Sequence, residues 1–407
     1  MLEEVRFEVF AHNSRSNLYI CVLLIYINLK VRPIKTIAFV SNNAWSVYNF
    51  RLEVINKMIE QGYKVLVIAP DDEFSVNLQE VGCQFVPIKF NNKSENPLQD
   101  IEFYYSLKKL YGELKPDFIF HYVAKPNIYG SMAAAANGIP SVAVITGLGY
   151  AFAKRNWLYW VVKHLYKNAL KKTEEVWFLN NEDARIFIRE NIVNIEKVKV
   201  LPGEGVNTEH FSPSFKTNRK TDDKFTFLMS ARLLKSKGIA LYADAARILK
   251  KKNYDVRFEL IGFFEKHHPD SISQEDINRW EKEGIVHYLG YSKDVRSYLK
   301  TSDCFVFPSF YNEGVPRSLM EAASMELPII TSLNRGCKEV VLNNVTGYIC
   351  NLNDPFDLAD KMEKVINLSH EDRMRMGRNG RALVIRKFDI HKVVDEYIQT
   401  LSRDLPD

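Results

Sequence analysis

Cysteine is scarce in this 407-residue sequence, and none of the five (Cys21, Cys83, Cys304, Cys337, Cys350) forms a CxxC pair. An odd set without paired spacing excludes a disulfide scaffold and fits free thiols in a reducing compartment. A long hydrophobic run is also missing. LYICVLLIYINL, residues 18–29, has only about half the length a bilayer-spanning helix needs, and no small-residue cleavage site follows it. Residues 1–34 are read as an extension, either an interfacial anchor or an upstream start that is not used. Charge of one sign is not dominant, since 55 Lys and Arg face 50 Asp and Glu for a net +5. An excess that small gives no argument for nucleic acid, and no nucleic-acid partner is expected. It is compatible with acidic substrates or an anionic membrane surface. Clustered metal ligands are lacking too. His267-His268 has no spaced partners, and PDDE and TDD read as charged loops, so no metal is expected. There is no low-complexity tract and no short-period repeat.

What is present is alternation. From Lys35, the strand-like runs TIAFVS, KVLVIAP, CQFVPI, PDFIFH, SVAVIT, EEVWFL and KVKVLP alternate with helical stretches such as residues 50–61 and 98–114. Nearly continuous apolar strands between helices indicate a parallel sheet covered on both faces. A polar linker-like stretch follows at residues 212–224, and the alternation restarts with FTFLMS, VRFELIG, IVHYLG, DCFVFP and LPIITS. The fold class is α/β, with two doubly wound domains at residues 35–205 and 206–380. Residues 381–407 are read as a terminal helix packing back toward the first domain. In such sheets ligands bind beyond the carboxyl ends of the strands, so the residues after each strand carry the functional information.

After FTFLMS come Arg232 and Lys237, the latter with Gly238 at a helix start. Two cations beside free helix N–H groups make an anion site; the plainer alternative is a solvated basic loop. Gly262 ends VRFELIG, where a flat base could approach a residue without a side chain, or where the chain simply turns. After DCFVFP, the stretch PSFYNEGVPRSLMEA places Glu313, Gly314, Val315, Pro316 and Glu321 around a turn into a helix. Pro316 suits the first helical position. Glu321, a turn and a half further, could accept both hydroxyls of a ribose, and Glu313 those of a hexose ring. The alternative is a carboxylate favoured by the helix dipole and a surface glutamate. In the first half, SNNAWSVYNFR with Asn43 follows the first strand without the GxGxxG of a dinucleotide enzyme. TGLG, with Thr146, Gly147 and Gly149, follows SVAVI and offers amides and a hydroxyl to an anion, or is a tight turn only. His121 ends PDFIFH, with Lys125 close behind. In WLYWVVKHLYKNALKK, Trp157, Trp160, Val161 and Leu165 share one helical side, with Lys163, Lys167 and Lys171 on another. Such a helix either lies on an anionic bilayer or packs on the sheet with its lysines solvated.

The spacing Glu313-x7-Glu321, with SARLLKSKG, LIG, PIITSLNRGCKEVV and NNVTGYIC in order, closely resembles the donor-site signature of retaining GT-B glycosyltransferases of family 4. The resemblance spans nearly everything from Lys35 onward. It implies that Arg232 and Lys237 bind a donor diphosphate, that Glu313 contacts the transferred sugar and Glu321 the ribose. Amides of Gly314 and Val315 would line the pocket; Pro316 has no N–H to offer. Family members often carry a catalytic histidine, for which His121 is the candidate. Ala124 stands where that histidine usually lies, so Lys125 is the alternative electrostatic group. SNNAWSVYNFR, HYVAKPNIYGS, TGLGYAF and LPGEGVN resemble the branch that extends polyprenyl-diphosphate-linked saccharides in bacterial O-antigen, capsule or glycan assembly. That implies a UDP-sugar donor, no cofactor or metal, acceptor contacts from Asn43, Lys125, Thr146, Gly147 and Gly149, and peripheral attachment to the inner face of the inner membrane. Rival readings are a glycosyltransferase with a soluble acceptor, a nucleotide-sugar epimerase of the same architecture, or a non-catalytic assembly protein.

Overall fold

The computed structural model describes residues 34–90, 96–148, 152, 155–213, 224–265, 268–311 and 314–405. The N-terminal half supplies strands β1 (Thr36–Val40), β2 (Lys64–Ala69), β3 (Gln84–Pro87), β4 (Phe118–Tyr122), β5 (Ser141–Ile145), β6 (Glu175–Phe178) and β7 (Val198–Val200). All pair in parallel, in the order β3-β2-β1-β4-β5-β6-β7. The order reverses between β1 and β4, which opens a crevice at the carboxyl edge. Helices α1 (Ala44–Glu60) and α2 (Ser75–Glu80) cover one face. On the other lie α3 (Pro97–Leu114), α4 (Ser131–Ala136) with a π-turn before it at Pro126–Gly130, α5 (Trp157–Leu170) and α6 (Asn181–Arg189). With helices on both faces, β4 and β5 are buried along their whole length, which explains their mostly apolar runs.

The second half repeats the plan. Strands β8 (Phe225–Ser230), β9 (Val256–Ile261), β10 (His287–Tyr288), β11 (Cys304–Phe307), β12 (Ile329–Ser332) and β13 (Gly347–Cys350) form a six-stranded sheet in the order β10-β9-β8-β11-β12-β13. Around it pack α7 (Ile239–Lys251), α8 (Gln274–Lys282), α9 (Arg296–Thr301), α10 (Arg317–Ser324), α11 (Pro355–Asn367) and α12 (His370–Phe388). The last helix, α13 (Ile390–Asp404), leaves this domain and joins the first. Its Ile390, Val393, Val394, Tyr397 and Leu401 enter the core built on Ile37 and Phe39. The Tyr397 ring lies 4.7 Å from both Phe120 and Trp177, contacts worth about 0.5–1.5 kcal/mol each beyond their buried area.

Domain boundaries are set by two chain crossings. Outward, residues 201–206 pass through Gly203 and Gly205 at φ 71° and 76°. On the return, Ile390 N donates to Val206 O at 3.0 Å, and Val206 N to Phe388 O at 2.9 Å. Helix α12 runs unbroken through residue 381, so the return crossing falls at Asp389 and not at the expected 381. Beside the crossing, buried Arg51 of α1 donates to Glu204 Oε1 at 2.8 Å and stacks 4.3 Å from the Tyr122 ring. The linker-like stretch at 212–224 and the extension 1–34 lie almost wholly outside the described residues.

Candidate active site

The carboxyl edges of both sheets open onto one cleft of about 790 Å³. On the C-terminal side its floor begins where β8 ends. Arg232 lines the cleft, and its Nη1 lies 3.0 Å from Glu265 Oε2. Lys237 follows in a single 3₁₀ turn (Lys235–Lys237) and is buried against two aromatics, its Nζ 5.2 Å from the Tyr311 ring and 5.9 Å from Phe307. Gly238 then turns into α7 at φ 82°, where a Cβ would stand 2.2 Å from Pro308 O. That close approach stitches the β8 turn to the β11 loop, helped by Phe310 N donating to Ser236 O at 3.0 Å. Lys237 is thus held out of solvent, while Arg232 keeps 40% of its side chain exposed and Lys235 is exposed.

Gly262 also lines the cleft, and the structure supplies a packing reason for it: a Cβ there would lie 1.9 Å from Ala231 O. The requirement for glycine at this strand end is thus internal, whatever ligand approaches. After β11, Gly314, Val315 and Pro316 line the cleft at the entrance to α10. A Cβ on Gly314 would meet Thr146 O at 2.8 Å, and Val315 Cβ packs where a Cβ on Gly203 would be, 2.9 Å away. The turn from the second domain is therefore wedged against the loop after β5 and the outgoing crossing of the first. Pro316 is the N-cap of α10, one residue before the expected first helical position. Glu321 lines the cleft with its side chain mostly buried; burial pushes its pKa up, and the Arg317 guanidinium 2.9 Å away acts against that rise. Glu313 and Gly149 lie outside the described residues.

From the first domain, Asn43 and Thr146 line the cleft. The Asn43 side-chain oxygen is engaged as the cap of α1, accepting from Ser46 N at 2.7 Å. Gly147 has φ 153°, a backbone conformation unfavourable for other residues, and does not line the cleft. Helix α1 begins at Ala44, six residues before the expected stretch, so helical first turns with Trp45, Ser46, Asn49 and Phe50 form this wall. Val123, left-handed at φ 62°, joins them just past β4. A β-branched residue there is strained, and such strain gathers at functional sites.

Two further expected residues do not reach the cleft. His121 is fully buried on the α3 and α4 side of β4, with Nε2 3.0 Å from Tyr111 Oη and Nδ1 3.4 Å from Ser131 Oγ. Burial lowers its pKa to about 3, so it is a neutral core histidine and not a group beside a donor sugar. Lys125 reaches Asp100 instead, at 2.7 Å. Asp100 lines a separate cavity of about 760 Å³ between the ends of β2, β3 and the start of α3. Among the described residues no three His, Cys, Asp or Glu side chains converge as metal ligands would. Sequence reading passed over Arg317, although it immediately follows Pro316, and over Phe50, Glu204 and His210, all of which line the cleft.

Paired Rossmann-like domains with cations and a carboxylate facing one cleft define the GT-B class of sugar transferases, and solved structures agree. A Rickettsia africae glycosyltransferase superposes with a TM-score of 0.77 at 18% identity, covering 92% of this chain and all of the other. Anabaena HepE in complex with UDP-glucose gives 0.74 at 18%, covering 90% and 99%. Residues 36–180 match the family model of glycosyl transferase 4-like proteins, and residues 211–383 that of glycosyl transferases group 1. The chain belongs to the family 4 glycosyltransferases. It is 30% identical, over 81% of its length and 89% of the relative's, to an Escherichia coli UDP-Gal:α-D-GlcNAc-diphosphoundecaprenol α-1,3-galactosyltransferase. It is 29% identical, over 90% and 98%, to a Campylobacter jejuni N,N'-diacetylbacillosaminyl-diphospho-undecaprenol α-1,3-N-acetylgalactosaminyltransferase.

Proposed function

We propose that this enzyme is a retaining transferase that moves a hexose or N-acetylhexosamine from a UDP-sugar to a hydroxyl of a polyprenyl-diphosphate-linked saccharide, in bacterial surface-polysaccharide or glycan assembly. One observation carries the reading: the Gly314–Val315–Pro316 turn abuts Thr146 of the opposite domain inside a cleft that also holds Arg232, Lys237 and Glu321. Donor-side and acceptor-side elements thus meet where transfer would occur. The chemical task is to stabilise charge on the departing diphosphate. Arg232, Lys237 and the N-terminal end of the α10 dipole do so electrostatically in a partly dry site. Glu321 accepts the ribose hydroxyls and Glu313 those of the sugar. The bond from the anomeric carbon to the diphosphate oxygen breaks as the acceptor oxygen bonds to the same face. The leaving phosphate oxygen takes the acceptor proton, and UDP departs. A UDP donor and an undecaprenyl-diphosphate acceptor are supported by the names of the relatives.

A lipid-linked acceptor requires access to a membrane. Among the described residues no helix is long and apolar enough to cross one. In our reading the enzyme sits peripherally on an anionic bilayer through α5, whose Trp157 and Trp160 are 68% and 50% exposed. Between residues 151 and 173 there are six Lys and Arg and no acidic residue. Leu98, Ile101 and Tyr105, at the start of α3, are exposed on the same side of the sheet.

The test is a panel of UDP-sugars assayed for transfer to polyprenyl-diphosphate saccharides. One sugar should be transferred, and Arg232→Ala and Glu313→Ala should each abolish transfer without unfolding the chain. Full activity in both variants would remove the site assignment. An epimer formed from the UDP-sugar without acceptor would instead support the epimerase reading.

A further inference from the structure

Arg317 stands where helix physics disfavours a cation. It is the first residue of α10, a helix with no acidic residue in its first turn, so its charge opposes the helix dipole. Its pairing with Glu321 at i,i+4 runs in the less favourable order, the cation N-terminal to the carboxylate. Its Nε is buried in an ion pair with Glu321, 2.9 Å from Oε1. The rest of what the residue gains comes from the other domain. Nη1 donates to the Asn49 carbonyl of α1, and the guanidinium lies 5.8 Å from the Phe50 ring. One side chain therefore touches the carboxylate on one wall of the cleft and the helix on the other.

We propose that Arg317 is a positioning residue that orients Glu321 for the donor ribose and couples that carboxylate to α1, so that donor affinity depends on how the two domains meet. The proposal rests on the donor-site reading above. The charged surroundings make the coupling measurable. Burial pushes the Glu321 pKa up, Arg317 pulls it down, and Asp294 adds a smaller upward push. Arg296 is engaged with Asp294 at 2.7 Å and lies 3.3 Å from His210, and Glu53 of α1 acts on His210 from the far wall. Without Arg317, Glu321 would be a buried carboxylate facing an acid, with its nearest cation gone. It would protonate at a higher pH, and its grip on ribose hydroxyls would fail sooner on acidification.

The experiment measures UDP binding to the full chain between pH 5 and 8, using Phe50→Ala, Arg317→Met, Arg317→Lys and the Phe50→Ala/Arg317→Met pair. Arg317→Met should weaken UDP about tenfold at pH 7 and move the acid limb of the profile upward. Arg317→Lys should restore the limb while leaving affinity low, because an ammonium can pair with Glu321 but cannot also span to Asn49 and cover Phe50. Phe50→Ala, in the opposite domain, should weaken UDP severalfold, and the double variant should be no worse than Arg317→Met. If the unmodified chain binds UDP but Phe50→Ala leaves its affinity unchanged, or the two losses multiply, the coupling is wrong. If the unmodified chain does not bind UDP, the donor-site reading fails and takes this proposal with it. Should Arg317→Met lose its native circular dichroism, the Phe50→Ala and Arg317→Lys arms still decide.

Discussion

At the scale of residues, the carboxyl ends of the strands bring together the groups that line the cleft. Arg232, Lys237, Gly262, Gly314 and Glu321 all line the cleft, as does Thr146. His121 does not, and strand parity already contained the reason. Successive residues of β4 alternate between faces, which puts Phe118, Phe120 and Tyr122 in the core with α1 and α13 and Ile119 in the core with α3. His121 shares the face of Ile119, away from the cleft. Its chemistry makes a stability prediction. The folded pKa of about 3 lies below the ordinary value of 6.5, so between those values the unfolded chain binds a proton that the folded chain refuses. Stability is then lost as pH falls from about 6.5 toward 3, by about 1.4 kcal/mol per pH unit from this group. His121→Leu should cost about 1–3 kcal/mol at pH 7.5 by stranding the Tyr111 hydroxyl, yet lose less on acidification than the parent. Urea melts at pH 7.5 and 5 would check this, and equal acid losses in both proteins would count against it.

At the scale of elements, the strands and the starts of α3 and α5 are legible in the sequence, and the start of α1 is not. The runs mark β1 to β9, β11 and β12 closely; in the central strands two-sided burial leaves few other residue types, while the edge strands β3 and β7 are only partly buried. Helix α1 starts earlier than its pattern suggests, since Trp45, Ser46, Val47 and Tyr48 are indifferent helix formers. Burial of Ala44 and Val47 and the Asn43 cap make those turns helical anyway. The pattern from Trp157 matches helix α5, but the roles of its lysines depend on partners distant in sequence. Lys163 reaches Glu190 at 2.8 Å, and Arg155 shares that carboxylate at 2.7 Å. The groups left for a bilayer are Trp157, Trp160, Lys167, Lys171 and Lys172. Trp157→Ser with Trp160→Ser, or Lys167, Lys171 and Lys172 all to Glu, should reduce sedimentation with anionic vesicles at least tenfold. Circular dichroism should stay unchanged, because the face holding Tyr159, Tyr166, Ala169 and Leu170 against the sheet is untouched. Undiminished sedimentation of both variants would refute attachment through α5.

At the scale of the whole molecule, two tandem α/β sheets implied a cleft, but not how its walls are held. That information is spread over pairs distant in sequence: Arg51 with Glu204, Gly314 against Thr146, Arg317 with Asn49, and Lys338 with Glu182. No local pattern reports such pairs, because each partner alone reads as an ordinary helix or loop residue. Helix α13, read from the sequence as packing back toward the first domain, enters that domain's core just past the Val206 and Asp389 crossing. The central claim is that this cleft transfers a sugar from a nucleotide to a lipid-linked saccharide with the anomeric configuration kept. It is tested most directly by proton NMR of the product formed from an α-linked UDP-sugar and a polyprenyl-diphosphate saccharide. The account predicts a new α-glycosidic linkage; a β linkage, or no glycoside with any UDP-sugar tried, would contradict it.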